Sequence, residues 1–194
     1  KKIHPNDVVW SFSGVRPLHD EGSENLSALS RDYALEYSEV DQLPLINIFG
    51  GKITTYRQLA EHALAKLEKH FPAAKPAWTA DRPLPGGEFD GDFDTYFQAL
   101  RQQYTWLPEA QIKRYCLSYG SMVPQLLARC RSLTDLGEYF GADLYQREVD
   151  YLVREEWAQT ADDILWRRSK LGLRFSPQQV AGLCEYLKEK TNKM

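Results

Sequence analysis

Residues 72–91, PAAKPAWTADRPLPGGEFDG, hold four prolines and three glycines. Proline removes a backbone donor and glycine resists both helix and strand, so no regular element runs through such a stretch. It divides the chain into segments of different pattern. Before it, VVWSFSG (8–14), SRDYALEY (30–37) and PLINIF (44–49) have the β-branched and aromatic character of strands. PLINIF is nearly all apolar, as in a strand buried on both faces. GGK then opens a helix that runs toward Phe71, with Thr55 and Gln58 spaced as a capping box.

After residue 91 the pattern becomes helical. Phe93, Phe97, Leu100 and Tyr104 mark one helix; Ile112, Tyr115, Cys116 and Tyr119 mark another, stopped by Gly120. A short helix near Pro124 follows, then one through Tyr145, Val149, Leu152 and Val153. A further helix over 161–170 has Asp162 and Asp163 at its start and Arg167, Arg168 and Lys170 at its end, as the helix dipole prefers. Ser176 is the N-cap of the last helix, with Pro177 at its first position and Gln179 closing a capping box. The expected class is α+β: strands and one helix over 1–71, a linker over 72–91, and an all-helical domain over 92–194.

The chain has 194 residues, is 43% hydrophobic and 26% charged, and carries a net charge of −3. That is enough for a sizeable core, and no basic field calls for nucleic acid. Cys116, Cys130 and Cys184 are widely spaced and odd in number, which argues against a disulfide framework or a metal site and for a reducing compartment. No apolar run approaches the roughly 18 residues of a membrane span. The first residues, KKIHPNDVVW, lack the apolar core of a signal peptide and begin without Met, as expected of a piece of a longer protein.

Chemistry is concentrated before residue 57. Arg16 closes one strand, Arg31 lies in or near the second, and Lys52 follows a glycine pair. Arginine offers a planar fork and lysine a point charge, so the three cations could converge on an anion. They could equally be surface cations paired with acids such as Asp20 or Asp32. Gly50-Gly51 before a helix start permits close approach of an anionic group, or forms a plain tight turn. Neither GxxxxGK[ST] nor GxGxxG occurs. The helical half is poorer: Asp162, Asp163, Arg167 and Arg168 read as caps and surface charge, and Trp157 and Trp166 as core.

SGVRPLHDE (13–21), SRDY (30–33) and FGGKITTYRQLAEHAL (49–64) resemble the C-terminal part of the FAD-dependent, aerobic respiratory glycerol-3-phosphate dehydrogenases. PAWTADRPLPGG (76–87), SLTDLGEYFG (132–141) and TADDILWRRSKLGL (160–173) continue the likeness into the family's helical cap domain. The resemblance implies oxidation of glycerol 3-phosphate to dihydroxyacetone phosphate, with hydride transfer to FAD and electrons passed to quinone. It implies that Arg16 and Lys52 are catalytic beside the C2 oxygen and that Arg31 binds the phosphate. Gly50, Gly51, Lys52, Ile53 and Thr54 would line the flavin. The N-terminal strands would complete a flavoprotein sheet. Without the family's N-terminal FAD-binding part, the fragment itself is expected to be inactive and free of FAD. A cytoplasmic location, peripheral on the inner membrane face, is also implied, and a homo-oligomer is left open. The alternatives are a fragment of another FAD oxidase of this fold, or a helical interaction module without activity.

Overall fold

The computed structural model describes residues 2–15 and 32–191. It is mixed α and β, about half helical, with two small antiparallel sheets. It divides into two compact units, Lys1–Arg82 and Pro83–Met194, parting within the proline-rich stretch.

In the first unit, β1 (Tyr33–Val40) pairs with β2 (Leu43–Gly50) from Tyr33↔Gly50 to Val40↔Leu43. The turn is only Asp41-Gln42, both at positive φ (51° and 68°), as a tight two-residue hairpin requires. Helix α1 (Tyr56–Lys66) follows and has no buried residue. Hydrogen bonds hold it and the turn after it to β1: Tyr33 Oη to His62 Nδ1 at 2.6 Å, and Tyr37 Oη to His70 Nε2 at 2.9 Å.

Several expectations for this unit fail. Residues 8–15 form no strand, and Val9, Phe12 and Val15 are exposed. A strand needs a neighbour for its backbone groups, and β1 and β2 pair with each other. β2 is not buried on both faces; Leu43, Leu45, Ile48 and Phe49 are exposed because the hairpin has only two strands. α1 stops at Lys66, and the chain reaches Phe71 through a short 3₁₀ turn, Glu68–His70. Thr55 does not cap α1; its hydroxyl donates to the Lys52 carbonyl instead.

The second unit is built on α2 (Phe93–Gln103), α3 (Glu109–Tyr119), the single-turn α4 (Val123–Leu126), α5 (Gln146–Glu155) and α6 (Pro177–Thr191). Their apolar faces meet in one core that includes Ile112, Tyr115, Leu126, Leu152, Ile164 and Leu183. The Asp92 carboxylate caps α2 by accepting the Thr95 N–H. At α6 the expected capping box is present: the Gln179 N–H donates to Ser176 Oγ and the Ser176 N–H to Gln179 Oε1.

This unit is not all helical. β3 (Tyr139–Gly141) and β4 (Leu144–Tyr145) form a small ribbon that buries Phe140 and Leu144. Strands this short show no alternating run in the sequence. Residues 163–168 take the wider π-helical form. Asp163 there accepts N–H groups from Gln159 and Thr160 and pairs with Arg167, so it caps. Trp157 is not core; it is 83% exposed.

Gly120 ends α3 at φ 50°, where the chain crosses Gly86 and the Ser121 N–H donates to the Gly86 carbonyl at 2.9 Å. A Cβ at position 120 would lie 1.8 Å from that carbonyl oxygen. Gly120→Ala therefore combines backbone strain with a clash against main chain. We expect it to destabilise the helical unit by about 3 kcal/mol or more, measured by thermal denaturation followed by far-UV circular dichroism.

Candidate functional site

The hairpin register fixes the start of the site. Because Tyr33 faces Gly50, Asp32 lies beside the residues that leave β2. Gly50 and Gly51 then take φ of 70° and 104°, a conformation that other residues rarely adopt. The glycine pair is thus required by the handedness of the turn. It returns Lys52 toward β1, where Nζ meets Asp32 Oδ1 at 2.8 Å. Ile53–Thr55 form a 3₁₀ turn leading into α1, closed by the Thr55 N–H donating to the Lys52 carbonyl at 3.0 Å.

Gly50, Gly51, Lys52, Ile53 and Thr54 therefore lie together in one turn. Ile53 is 88% exposed and Thr54 is exposed. Lys52 and Asp32 are both substantially exposed, and an exposed ion pair contributes at most about 1 kcal/mol. Lys52 can exchange Asp32 for another anion at small cost. Arg16 and Arg31 lie outside the described residues. Arg57, five residues after Lys52, is directed elsewhere: it donates to Glu61 and to Thr79.

The helical unit holds a charged cluster that the sequence reading missed. Glu148 on α5 is 0% exposed. Arg114 of α3 binds it as a fork, with both Nη atoms 2.6 Å from its carboxylate oxygens, and also donates to the Asp143 carbonyl. The Tyr119 hydroxyl donates to Glu148 Oε1 at 2.6 Å, and the Gln111 amide donates to the Tyr115 hydroxyl. Burial, and then the Glu148 charge, push the Tyr115 and Tyr119 hydroxyls well above the usual tyrosine range. Burial acts to lower the Arg114 pKa, but the Glu148 carboxylate outweighs it and the guanidinium stays charged. A signal existed: Glu148 stands four residues before Leu152 and three after Tyr145, on the apolar face of α5.

A groove of about 510 Å³ in the same unit is lined by Phe89, Phe93, Tyr119 and Tyr151 together with Glu155 and Glu156. No Lys or Arg lines it, so it does not suit a phosphate. Among the described residues, no helix is long and apolar enough to cross a membrane.

Residues 77–188 match the family described as the C-terminal domain of alpha-glycerophosphate oxidase, and the chain belongs to that family. It is 44% identical over 192 residues to the aerobic glycerol-3-phosphate dehydrogenase of Escherichia coli K12, covering 98% of this chain and 38% of that protein. It is 50% identical over 182 residues to the glycerol-3-phosphate dehydrogenase of Pseudomonas aeruginosa, covering 93% and 36%. It is also 44% identical over 187 residues to the D-erythritol 1-phosphate dehydrogenase of Brucella abortus, covering 96% and 37%. The chain thus spans between 36% and 38% of the length of these relatives.

The buried pair makes a structural prediction. Glu148→Ala leaves the Arg114 charge buried without its partner and should cost about 3–5 kcal/mol. Replacing both members by apolar residues, Arg114→Met with Glu148→Leu, should recover most of that loss in chemical denaturation.

Proposed function

We propose that this chain is the C-terminal part of an FAD-dependent dehydrogenase that oxidises sn-glycerol 3-phosphate to dihydroxyacetone phosphate. The observation that carries the reading is 44% identity to an aerobic glycerol-3-phosphate dehydrogenase over 192 residues, a match broad enough to include the Lys52 turn. In this reading residues 1–71 belong to the FAD- and substrate-binding domain, where β1 and β2 extend a larger flavoprotein sheet. Residues 72–91 connect it to a helical cap domain over 92–194.

Gly50, Gly51, Lys52, Ile53 and Thr54 would lie along the pyrimidine edge of the flavin. Lys52, Ile53 and Thr54 are exposed, Ile53 at 88%, so the outer side of that turn is accessible to a flat ring. When bound, FAD supplies the acceptor for the hydride from C2. Lys52 and Arg16 would sit beside the C2 oxygen and stabilise the negative charge that develops as the hydroxyl proton leaves. Arg31 would hold the phosphate as a fork. Electrons then pass to quinone, with the protein peripheral on the inner face of the cytoplasmic membrane.

A second substrate is favoured by one observation. The D-erythritol 1-phosphate dehydrogenase of Brucella abortus is as similar to this chain, at 44%, as the enzyme from Escherichia coli. Both substrates are phosphorylated polyols with a secondary hydroxyl. The Lys52 turn and the two arginines suit either, so the choice rests on residues elsewhere.

The test uses the full-length protein. Anaerobic glycerol 3-phosphate should bleach the oxidised flavin band, and glycerol should not. Lys52→Ala should slow bleaching about 10²–10³-fold. A flavin that stays oxidised with glycerol 3-phosphate but bleaches with D-erythritol 1-phosphate would establish the second substrate. A flavin indifferent to both would overturn the reading.

A further inference from the structure

Helix α1 carries the Lys52 turn at its head, yet it buries no residue. Polar contacts must therefore hold much of its position. One set lies at the Tyr33–His62 hydrogen bond. The other is a closed triangle on its other neighbour, the segment Thr79–Asp81. Glu61 Oε1 accepts both the Thr79 N–H, at 3.1 Å, and the Thr79 hydroxyl. Arg57 Nη1 donates to Glu61 Oε2 at 3.1 Å and to Thr79 Oγ1 at 3.2 Å. Each of the three residues is thus bonded to the other two.

The Glu61 and Arg57 side chains are only 20% and 34% exposed, so this is no loose surface pair. Hydrogen bonding from the Thr79 hydroxyl holds the Glu61 carboxyl below the usual carboxylate range, as expected where the charged form is the one bonded. Arg57 is in the first turn of α1, two residues after Thr55, whose N–H closes the Lys52 turn. A pull on Thr79 therefore reaches that turn through two side chains and one turn of helix.

We propose that Arg57, Glu61 and Thr79 are positioning residues: a clip that fixes the Thr79–Asp81 segment, near the end of the first unit, onto α1 and thereby steadies the Lys52–Thr55 turn. The clip stands on this geometry whatever substrate Lys52 meets. It also assigns Arg57 of the GGKITTYR motif to the clip and not to an anion. The segment after Arg82, where the second unit begins, lies beyond the clip.

Amide hydrogen exchange at Thr79 and Thr55, read by NMR on the chain described here, tests this. In the wild type both amides should be protected. Glu61→Ala should speed exchange at both by about tenfold or more, with helical-unit amides unchanged as a control for folding. Thr79→Val, which replaces the hydroxyl with a methyl group and keeps the N–H, should give a smaller rise at both sites, and Thr79→Ser should match the wild type. An unprotected Thr79 amide in the wild type would overturn the clip. A rise at Thr79 with none at Thr55 in Glu61→Ala would overturn its hold on the Lys52 turn.

Discussion

The antiparallel register of β1 and β2 sets where the chemistry of the first unit can sit. With Tyr33 opposite Gly50, the chain leaves β2 beside Asp32, and two left-handed glycines bring Lys52 back to it. The same register puts Tyr33, Leu35 and Tyr37 on one face with Ile46 and Ile48. Tyr33 and Tyr37 from that face then meet His62 and His70 and hold α1. A slip of one residue would send these side chains to the opposite face. The Lys52 turn and the seat of α1 both follow from one pairing pattern.

The second unit is held by different physics. Its core is apolar and helical, and it includes Tyr115, Val149 and Ile164, each fully buried. Within that core the Arg114–Glu148 pair ties α3 to α5 and, through the Asp143 carbonyl, to the ribbon turn. A buried pair of this kind is weak evidence for net stability. Its fork geometry does specify how α3 faces α5. The aromatic groove in this unit is lined by Glu155 and Glu156 and by no Lys or Arg. The two units thus differ in what holds them: paired backbone and polar side-chain contacts in the first, a buried apolar core around one ion pair in the second.

The sequence was most legible where one local rule decides the outcome. Gly120 stops α3, Ser176 and Gln179 cap α6, and the cations flagged before residue 57 include Lys52, which pairs with Asp32 as one of the readings held. It was least legible where a partner decides. VVWSFSG has strand composition but no strand, because β composition states a preference for a neighbour that the chain must provide. PLINIF looks doubly buried, yet a two-stranded hairpin exposes it. Thr55 has the spacing of a cap, but its hydroxyl is drawn to the Lys52 carbonyl. Glu148 and Arg114 are 34 residues apart, and only the packing of α3 on α5 brings them together. The triangle of Arg57, Glu61 and Thr79 was hidden for the same reason, although Arg57 and Glu61 have the spacing of a helical ion pair.

The role proposed for Lys52 is to steady the oxygen on C2 of a polyol phosphate as hydride leaves that carbon. Deuterium at C2 of glycerol 3-phosphate tests it most directly, by stopped-flow bleaching of the flavin in the full-length protein. Slower bleaching with the C2-deuterated substrate, and unchanged bleaching with deuterium at C1 or C3, is the expected result. Equal rates for protium and deuterium at C2, persisting in Lys52→Ala where the chemical step should be slowest, would contradict it.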